Sequence, residues 1–267
     1  MQELQVEIEN EKQRRRRYRV MMTAMLLSLG IVTILSFGVG YYPLSPSQVV
    51  GAFLSGIGYE QEILPQAVTI FWKIRLPRIL SAVFIGASLS VAGAAYQGMF
   101  RNPLVSPDIL GVSSGASLGA AFAILSGMTN WGVQVSAFTG GILAVAASYL
   151  ISRRSAHAQT LSLVLTGSMI MSLCNAGVTM IKYVADPNDV LQQITFWLMG
   201  SLTKTDLNAF RWSAVPMMIG LVLIFLLRWR INLLTLDEEE AKSLGINIRY
   251  YRIIFIFAST LLSAAAG

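Results

Sequence analysis

The chain has 267 residues, of which 54% are hydrophobic and 13% are charged, and it carries a formal net charge of +6 at pH 7. The charged fraction is about half of that in a soluble domain, which excludes a soluble globular protein and predicts a membrane protein. The basic residues lie at the ends of apolar runs and are not interleaved with aromatic residues, so we expect no nucleic-acid partner. The single cysteine, Cys174, allows no intramolecular disulfide.

The chain begins with a charged segment, residues 1–19, that is acidic at first and basic at its end. We predict that it is a solvated, partly helical, cytoplasmic tail. The apolar run at 20–40 is about as long as a bilayer is thick and is too long for the apolar region of a signal peptide. It therefore predicts a retained first span, and residues 20–267 are predicted to form one transmembrane domain.

Residues 41–77, which join the first and second spans, are interrupted by prolines that exclude a long helix there. The stretch SPSQVVGAFLSGI predicts a short amphipathic helix capped by Ser45 or Ser47. The stretch AVTIFWKIR predicts a segment near the membrane interface, where its tryptophan is favoured. The prolines are Pro43, Pro46, Pro65 and Pro77.

Six further apolar runs predict an all-α, polytopic transmembrane helical bundle of about seven spans. If the tail is cytoplasmic and the spans alternate in direction, most of the 20 lysines and arginines lie inside, as the positive-inside rule requires. The sequence thus predicts a multi-pass membrane protein with a cytoplasmic N-terminus. The six runs are 78–99, 108–127, 131–151, 161–183, 210–227 and 253–267.

The second and third spans carry small residues at four-residue spacing. Residues four apart share one face of a helix, so each span has a groove in which another backbone can approach closely. Such stripes occur in many polytopic membrane proteins, and by themselves they predict helix packing only. The stripes are Gly86, Ser90, Ala94 and Gly98 in one span and Gly111, Gly115 and Gly119 in the other.

The order of four motifs is more specific than either stripe. The motifs are RLPR (75–78), GASLSVAGAAYQGMFRNPLVSPDILGVSSGAS (86–117), FWLMGSL (196–202) and LLTLDEEEAKSLGINI (233–248). In this order, over nearly the whole chain, they resemble the FecCD family, the permease subunits of ATP-driven (ABC) importers for iron-siderophores, haem and cobalamin. The resemblance implies about ten spans, and since a later Gly-Phe-Val-Gly-Leu and Pro-His block is absent, we expect a truncated chain.

The resemblance also implies partners. It implies a homodimer in the lipid of the bacterial cytoplasmic membrane, with the pathway between the two permease copies. A separate ATP-binding subunit is expected to hydrolyse ATP, and an extracytoplasmic binding protein is expected to deliver a ferric siderophore, with haem or cobalamin as alternatives. The chain is therefore expected to be a transporter subunit without a cofactor, not an enzyme. Apart from these partners, a role in helix packing or in the transport pathway is assigned to Gly86, Ser90, Gly93, Gly98, Asn102, Pro103, Gly111, Gly115 and Gly119.

Arg75 and Arg78 lie three residues apart on the predicted outer side, against the general charge distribution. One interpretation is that they anchor the second span by extending their charged ends to the interface. The resemblance implies another role, in which arginines of this motif pair with glutamates of the binding protein.

The stretch 233–248 contains four consecutive acids, which favour a helix N-terminus, and it places Ala241, Leu244 and Ile248 on one helix face. It is either a solvated connector or a pair of short helices bound by another protein. The resemblance implies the second, with the loop docked in a cleft of the ATP-binding subunit. The residues assigned to this coupling role are Asp237, Glu238, Glu239, Glu240, Ala241, Leu244 and Gly245.

No set of residues predicts catalysis or metal binding. The span interiors hold essentially no ionisable group, whereas ion-coupled transporters need such groups or broken helices near the midplane. The stretch GSLTKT lacks the glycine before the lysine of a phosphate-binding loop, and His157 has no partner at metal-ligand spacing. We expect no catalytic residue and no metal.

The alternative functions are an ion-coupled secondary transporter or channel, and a non-transporting membrane anchor.

Overall fold

The computed structural model describes residues 2–58, 64–153, 159–203, 205–235 and 247–266. Within these ranges all regular elements are helical and no strand occurs, which confirms the predicted all-α fold. The chain divides into two compact units, Met1–Leu80 and Ser81–Gly267.

The first unit contains three helices, a π-helical turn and the start of a fourth helix. The helices are α1 (Gln2–Gly38), α2 (Pro46–Gly56), α3 (Pro65–Thr69) and α4 (Leu76–Phe100), and the π-helical turn is Ile70–Arg75. The tail predicted at 1–19 is thus helical over its described part and continuous with the first span.

Helix α2 begins at a capping box, which confirms the predicted short helix. The Gln48 backbone N–H donates to the Ser45 hydroxyl oxygen (3.3 Å), and the Ser45 N–H donates to the Gln48 side-chain oxygen (2.9 Å). This reciprocal pair satisfies two donors that the start of a helix leaves unpaired. The indole N–H of Trp72 donates to the Ala52 carbonyl (2.8 Å), which ties α2 to the π-helical turn.

The prediction that prolines exclude a long helix before the second span is wrong at its C-terminal end. Helical residues continue from Pro65 to Phe100 without a break. The backbone N–H of Leu76 donates to the Phe71 carbonyl, five residues earlier. This wider turn accommodates Pro77, which has no N–H and whose ring crowds the preceding turn of a regular α-helix.

The second unit holds the rest of α4, six further helices and a 3-10 segment. The elements after α4 are α5 (Val112–Leu125), α6 (Asn130–Ser152), α7 (Gln159–Val184), α8 (Val190–Met199), α9 (Leu207–Leu227), the 3-10 segment Arg228–Thr235 and α10 (Ile248–Ala266). Among the described residues, six helical stretches are long and apolar enough to cross a membrane: Glu9–Gly38, Pro65–Phe100, Asn130–Ser152, Leu161–Val184, Leu207–Ile231 and Ile248–Ala266.

The predicted third span, 108–127, is a shorter helix. With 14 residues, α5 is about 20 Å long at 1.5 Å per residue, less than the hydrocarbon thickness of a bilayer. Its start is fixed by Gly111, which has a left-handed φ of 82°, and by Asp108, whose carboxylate accepts a hydrogen bond from the Ser113 N–H (2.7 Å). A short helix preceded by irregular chain therefore replaces the predicted full-length span.

Helix α8 lies between the predicted fifth span (161–183) and the predicted sixth span (210–227). Its Ile194 is completely buried and packs with Ala121, Val178 and Ala185 of the neighbouring segments. The main core of the second unit lies elsewhere, around Tyr96 and the residues that pack with it from α9 and α10.

Candidate functional site

Helices α5 and α6 pack backbone against backbone along the second glycine stripe. A β-carbon added at Gly115 would lie 2.5 Å from both the Gly140 carbonyl oxygen and the Ala144 β-carbon. One added at Gly119 would overlap the backbone of Ser136, whose hydroxyl donates to the Gly119 carbonyl (2.7 Å). Glycine at 115 and 119 is therefore required by the approach of α6.

Gly111 serves a different purpose from the other two glycines of its stripe. The nearest atoms to an added β-carbon would be the Met171 nitrogen at 3.5 Å and the Gly167 carbonyl oxygen at 3.6 Å. These are ordinary contacts, so space is available. The positive φ of Gly111 is what favours glycine here.

The first stripe lies largely on the exposed side of α4. Gly86, Ser90 and Ala94 are exposed, and a β-carbon at Gly86 would meet no atom within 4 Å. A β-carbon added at Gly93 would lie 3.3 Å from the Pro107 ring, and one added at Gly98 would lie 3.5 Å from the Ile231 side chain. Within this chain, the stripe thus leaves an open, side-chain-poor surface, and its role in packing or the pathway stays a prediction.

The corner between α4 and α5, residues 101–111, belongs to the second unit and is buried only in part. Its predicted site residues Asn102 and Pro103 are exposed, whereas Val105 and Leu110 are buried. Three side chains outside or flanking the corner satisfy its carbonyl groups, which is what allows irregular chain among membrane helices. The pairs are Gln97 to Val105 (3.3 Å), Ser148 to Leu110 (3.1 Å) and Ser263 to Pro107 (3.5 Å).

Sequence analysis missed these three donors: Gln97 lies within the motif at 86–117, but the motif does not identify its acceptor, and Ser148 and Ser263 lie outside the four motifs. Ser148 belongs to a four-residue repeat of small residues in α6, where it is completely buried. A serine among small residues in a membrane helix can donate a hydrogen bond to a neighbouring helix, but the spacing of the residues does not identify the acceptor.

Arg75 is buried, and its side chain forms hydrogen bonds at the C-terminal end of α1. Its guanidinium donates through Nη1 to the Phe37 carbonyl and through Nη2 to the Tyr42 carbonyl. A cation at this position neutralises unpaired carbonyls at the C-terminus of a helix. The Phe37 ring also stacks on Phe71, with ring centroids 4.8 Å apart. Arg78, one turn further on, is half-buried, and docking of either arginine on a binding protein stays a prediction.

Two buried serine hydroxyl groups were not predicted. The Ser88 hydroxyl on α4 and the Ser259 hydroxyl on α10 are completely buried, and neither has a hydrogen-bond partner among the described residues. Leaving a buried hydroxyl unpaired costs free energy. Each therefore marks a place where a polar partner that the described residues do not supply would be stabilised.

The predicted coupling residues, Asp237 to Gly245, lie outside the described residues, as do His157 and Lys204. Before this loop the last described element is the 3-10 segment Arg228–Thr235, and after it the described residues begin again at Asn247, directly before α10. Across the part of the chain that the structure describes, no group of three or more His, Cys, Asp or Glu side chains is placed to hold a metal ion.

Comparison with known proteins finds relatives that are all named as permease proteins of import or transport systems. The chain is 36% identical over 247 residues to the molybdate import system permease protein MolB of Haemophilus influenzae, covering 92% of this chain and 73% of that protein. It is 36% identical over 249 residues to a probable iron chelatin transport system permease protein of Helicobacter pylori, covering 93% and 74%. The haemin transport system permease protein HmuU of Yersinia pestis is 36% identical over 203 residues, covering 74% and 60%.

A solved inward-facing structure of an ABC transporter of the metal-chelate type has the same fold. It superposes with a TM-score of 0.80 at 35% identity, covering 93% of this chain and 75% of that one. The model of the FecCD transport family matches residues 27–267. The motifs quoted above, the helical bundle and these relatives agree, and the chain belongs to the FecCD transport family of ABC transporter permeases.

Proposed function

We propose that this chain is the membrane-spanning permease subunit of an ATP-driven importer for a metal chelate. The observation that carries the proposal is the TM-score of 0.80, at 35% identity, with an ABC transporter of the metal-chelate type. ATP hydrolysis takes place in a separate ATP-binding subunit, and an extracytoplasmic binding protein delivers the substrate. The N-terminus of the permease faces the cytoplasm of a bacterial cell.

Two copies of the chain form the pathway between them. The exposed stripe of Gly86, Ser90 and Ala94 supports this arrangement, because a helix surface with small side chains leaves room for a solute or a second backbone. The tight pair of α5 and α6, with Gly115 against Gly140, supplies a rigid unit that can move as one body.

The binding protein docks through Arg78. Arg75 is buried and donates to two backbone carbonyls, so its charge is directed at α1. Arg78 is half-buried and is the better placed of the two to meet a carboxylate. The ATP-binding subunit docks on the loop from Asp237 to Gly245.

The substrate that we propose is a ferric siderophore. Relatives named for iron chelatin and for Fe(3+)-citrate support an iron chelate, whereas relatives named for haemin and cobalamin keep those chelates as alternatives. A second candidate is the oxyanion molybdate, which the 36% identity to MolB over 92% of this chain favours.

Uptake by reconstituted vesicles tests the proposal. The chain is purified with the ATP-binding subunit and the binding protein encoded beside it, and uptake of radiolabelled ferric siderophore, haem, cobalamin and molybdate is measured with ATP or with an imposed ion gradient. We expect uptake of the iron chelate with ATP alone. Uptake driven only by the ion gradient identifies a secondary transporter, and copurification of the ATPase without any uptake identifies an anchor.

A further inference from the structure

A dense group of basic residues lies near the N-terminal end of α1. The family match begins at residue 27, so this group lies outside the domain that the chain shares with its family. We define the basic collar as Lys12, Arg14, Arg15, Arg16, Arg17 and Arg19, all of which are exposed.

The position of the collar along α1 coincides with a membrane surface. Helix α1 continues without interruption from Gln2 to Gly38. From Val20, the first residue after the collar, to Gly38 the helix is about 27 Å long at 1.5 Å per residue, close to the hydrocarbon thickness of about 30 Å. When this apolar part spans the membrane, the collar lies among the lipid headgroups.

The collar surrounds the helix. With 3.6 residues per turn, Lys12, Arg15, Arg16 and Arg19 share one face, whereas Arg14 and Arg17 lie on the opposite face. A site for a protein partner is expected to concentrate its charges on the contacted side. Charges on both faces within about 11 Å of helix length fit a ligand that surrounds the helix, as headgroups surround a membrane span.

Little within the described chain neutralises these charges. Among the described side chains the ion pair at the collar is Arg15 with Glu11, at 3.6 Å, and both side chains are well exposed, so the pair contributes little. The apolar window of this span has no residue buried by the rest of the protein. Protein contacts hold the other end of α1, where Phe37 stacks on Phe71 and accepts from Arg75.

We propose that the basic collar binds the phosphate groups of anionic phospholipids and thereby fixes the depth of α1 in the bilayer. Clustered Lys and Arg beside a membrane span are attracted to anionic headgroups, and salt screens this attraction. The proposal does not depend on transport, because it concerns a segment outside the family match.

The test uses the full chain in nanodiscs of phosphatidylcholine mixed equally with phosphatidylglycerol. Four collar arginines are replaced together in the variant R14Q/R16Q/R17Q/R19Q. The matched control, R153Q/R228Q/R230Q/R249Q, removes four arginines that are exposed elsewhere in the chain. Native mass spectrometry after release from the nanodiscs counts the retained phosphatidylglycerol and phosphatidylcholine molecules per chain.

We expect the collar variant to lose at least half of the excess of phosphatidylglycerol over phosphatidylcholine, and the control to keep most of it. The variant R14K/R16K/R17K/R19K, which keeps the charges, is expected to behave like the unchanged chain. Circular dichroism checks that each variant is folded, since glutamine and lysine are both good helix formers.

Three results would overturn the proposal. The first is equal retention of phosphatidylglycerol by the collar variant and the unchanged chain. The second is complete displacement of the lipid by inorganic phosphate at the concentration of the headgroups, which would identify a site for a free anion. The third is an unchanged lipid count combined with lost binding of the ATP-binding subunit, which would identify the collar as a protein-docking segment.

Discussion

Gly115 and Gly86 both belong to stripes of small residues at four-residue spacing, but only Gly115 is in close contact with a neighbouring helix. A β-carbon at Gly115 would lie 2.5 Å from Gly140 and Ala144, whereas one at Gly86 would meet nothing within 4 Å. We expect Gly115→Ala to destabilise the protein by about 1–3 kcal/mol, because α5 and α6 must separate. Gly86→Ala, the matched control, is expected to be neutral or slightly stabilising, since alanine favours the helix. Thermal unfolding in detergent measures both, and equal midpoints would contradict the packing described here.

Variants of Arg75 and Arg78 are expected to differ in their effects when stability and docking are both measured for each. Arg75→Gln removes hydrogen bonds from a charged donor to the Phe37 and Tyr42 carbonyls, and each such bond contributes about 1.5–3 kcal/mol. We therefore expect a clearly lower unfolding midpoint. Arg78→Gln is expected to weaken the affinity for the binding protein by about 1 kcal/mol, whereas Arg75→Gln is expected to leave that affinity unchanged. An Arg75 variant that keeps its stability and loses affinity would restore the docking role of that residue.

At the scale of elements, the corner between α4 and α5 depends on hydrogen bonds from helices far along the chain. Ser148 of α6 is completely buried and donates to the Leu110 carbonyl (3.1 Å). Ser148→Ala leaves that carbonyl unpaired, at an expected cost of about 1–3 kcal/mol. Ser172→Ala, on the exposed face of α7, removes only a hydrogen bond within its own helix and is the control. Equal unfolding midpoints for the two variants would show that water replaces the Ser148 hydroxyl.

The long helices could be predicted from sequence because bilayer thickness sets a minimum length of apolar chain. The start of α5 could not, because it depends on the left-handed backbone of Gly111 and on the Asp108 cap, and both follow from packing of the corner. The prediction that Pro77 excludes a long helix was wrong for a related reason. A proline ends a regular α-helix, but the π-helical turn before it removes the conflict.

The candidate site was predictable only in part. Four-residue spacing identified Gly115 and Gly119 as places of close approach, but it also selected Gly86 and Ser90, which are exposed. The difference lies in Gly140 and Ser136, which come from another helix, and a pattern within one helix carries no information about its neighbour. For the same reason, the motif at 75–78 did not reveal that Arg75 acts on the backbone of α1.

At the scale of the whole molecule, the proposed function places ATP hydrolysis, and with it the energy for transport, in a separate subunit. A permease therefore needs a surface through which the ATP-binding subunit acts. On the proposed orientation, in which α5 and the irregular chain before it count as one crossing, that surface is the loop from Asp237 to Gly245. The loop leads directly into α10, which begins at Ile248 and packs in the main core of the second unit through Phe255 and Leu262.

We expect Ala241→Arg to uncouple the transporter without preventing its folding. Arginine keeps the helix propensity of this position but adds a large charge to the proposed contact. The control, Asn188→Arg, adds the same charge at an exposed site on the opposite side of the membrane in the proposed orientation. Copurification of the ATP-binding subunit and substrate-stimulated ATP hydrolysis are measured for both variants in the assembled transporter. We expect Ala241→Arg to lower one or both at least tenfold and Asn188→Arg to change neither. Normal values for Ala241→Arg would mean that the loop is a connector, and that the ATP-binding subunit acts on another surface of the permease.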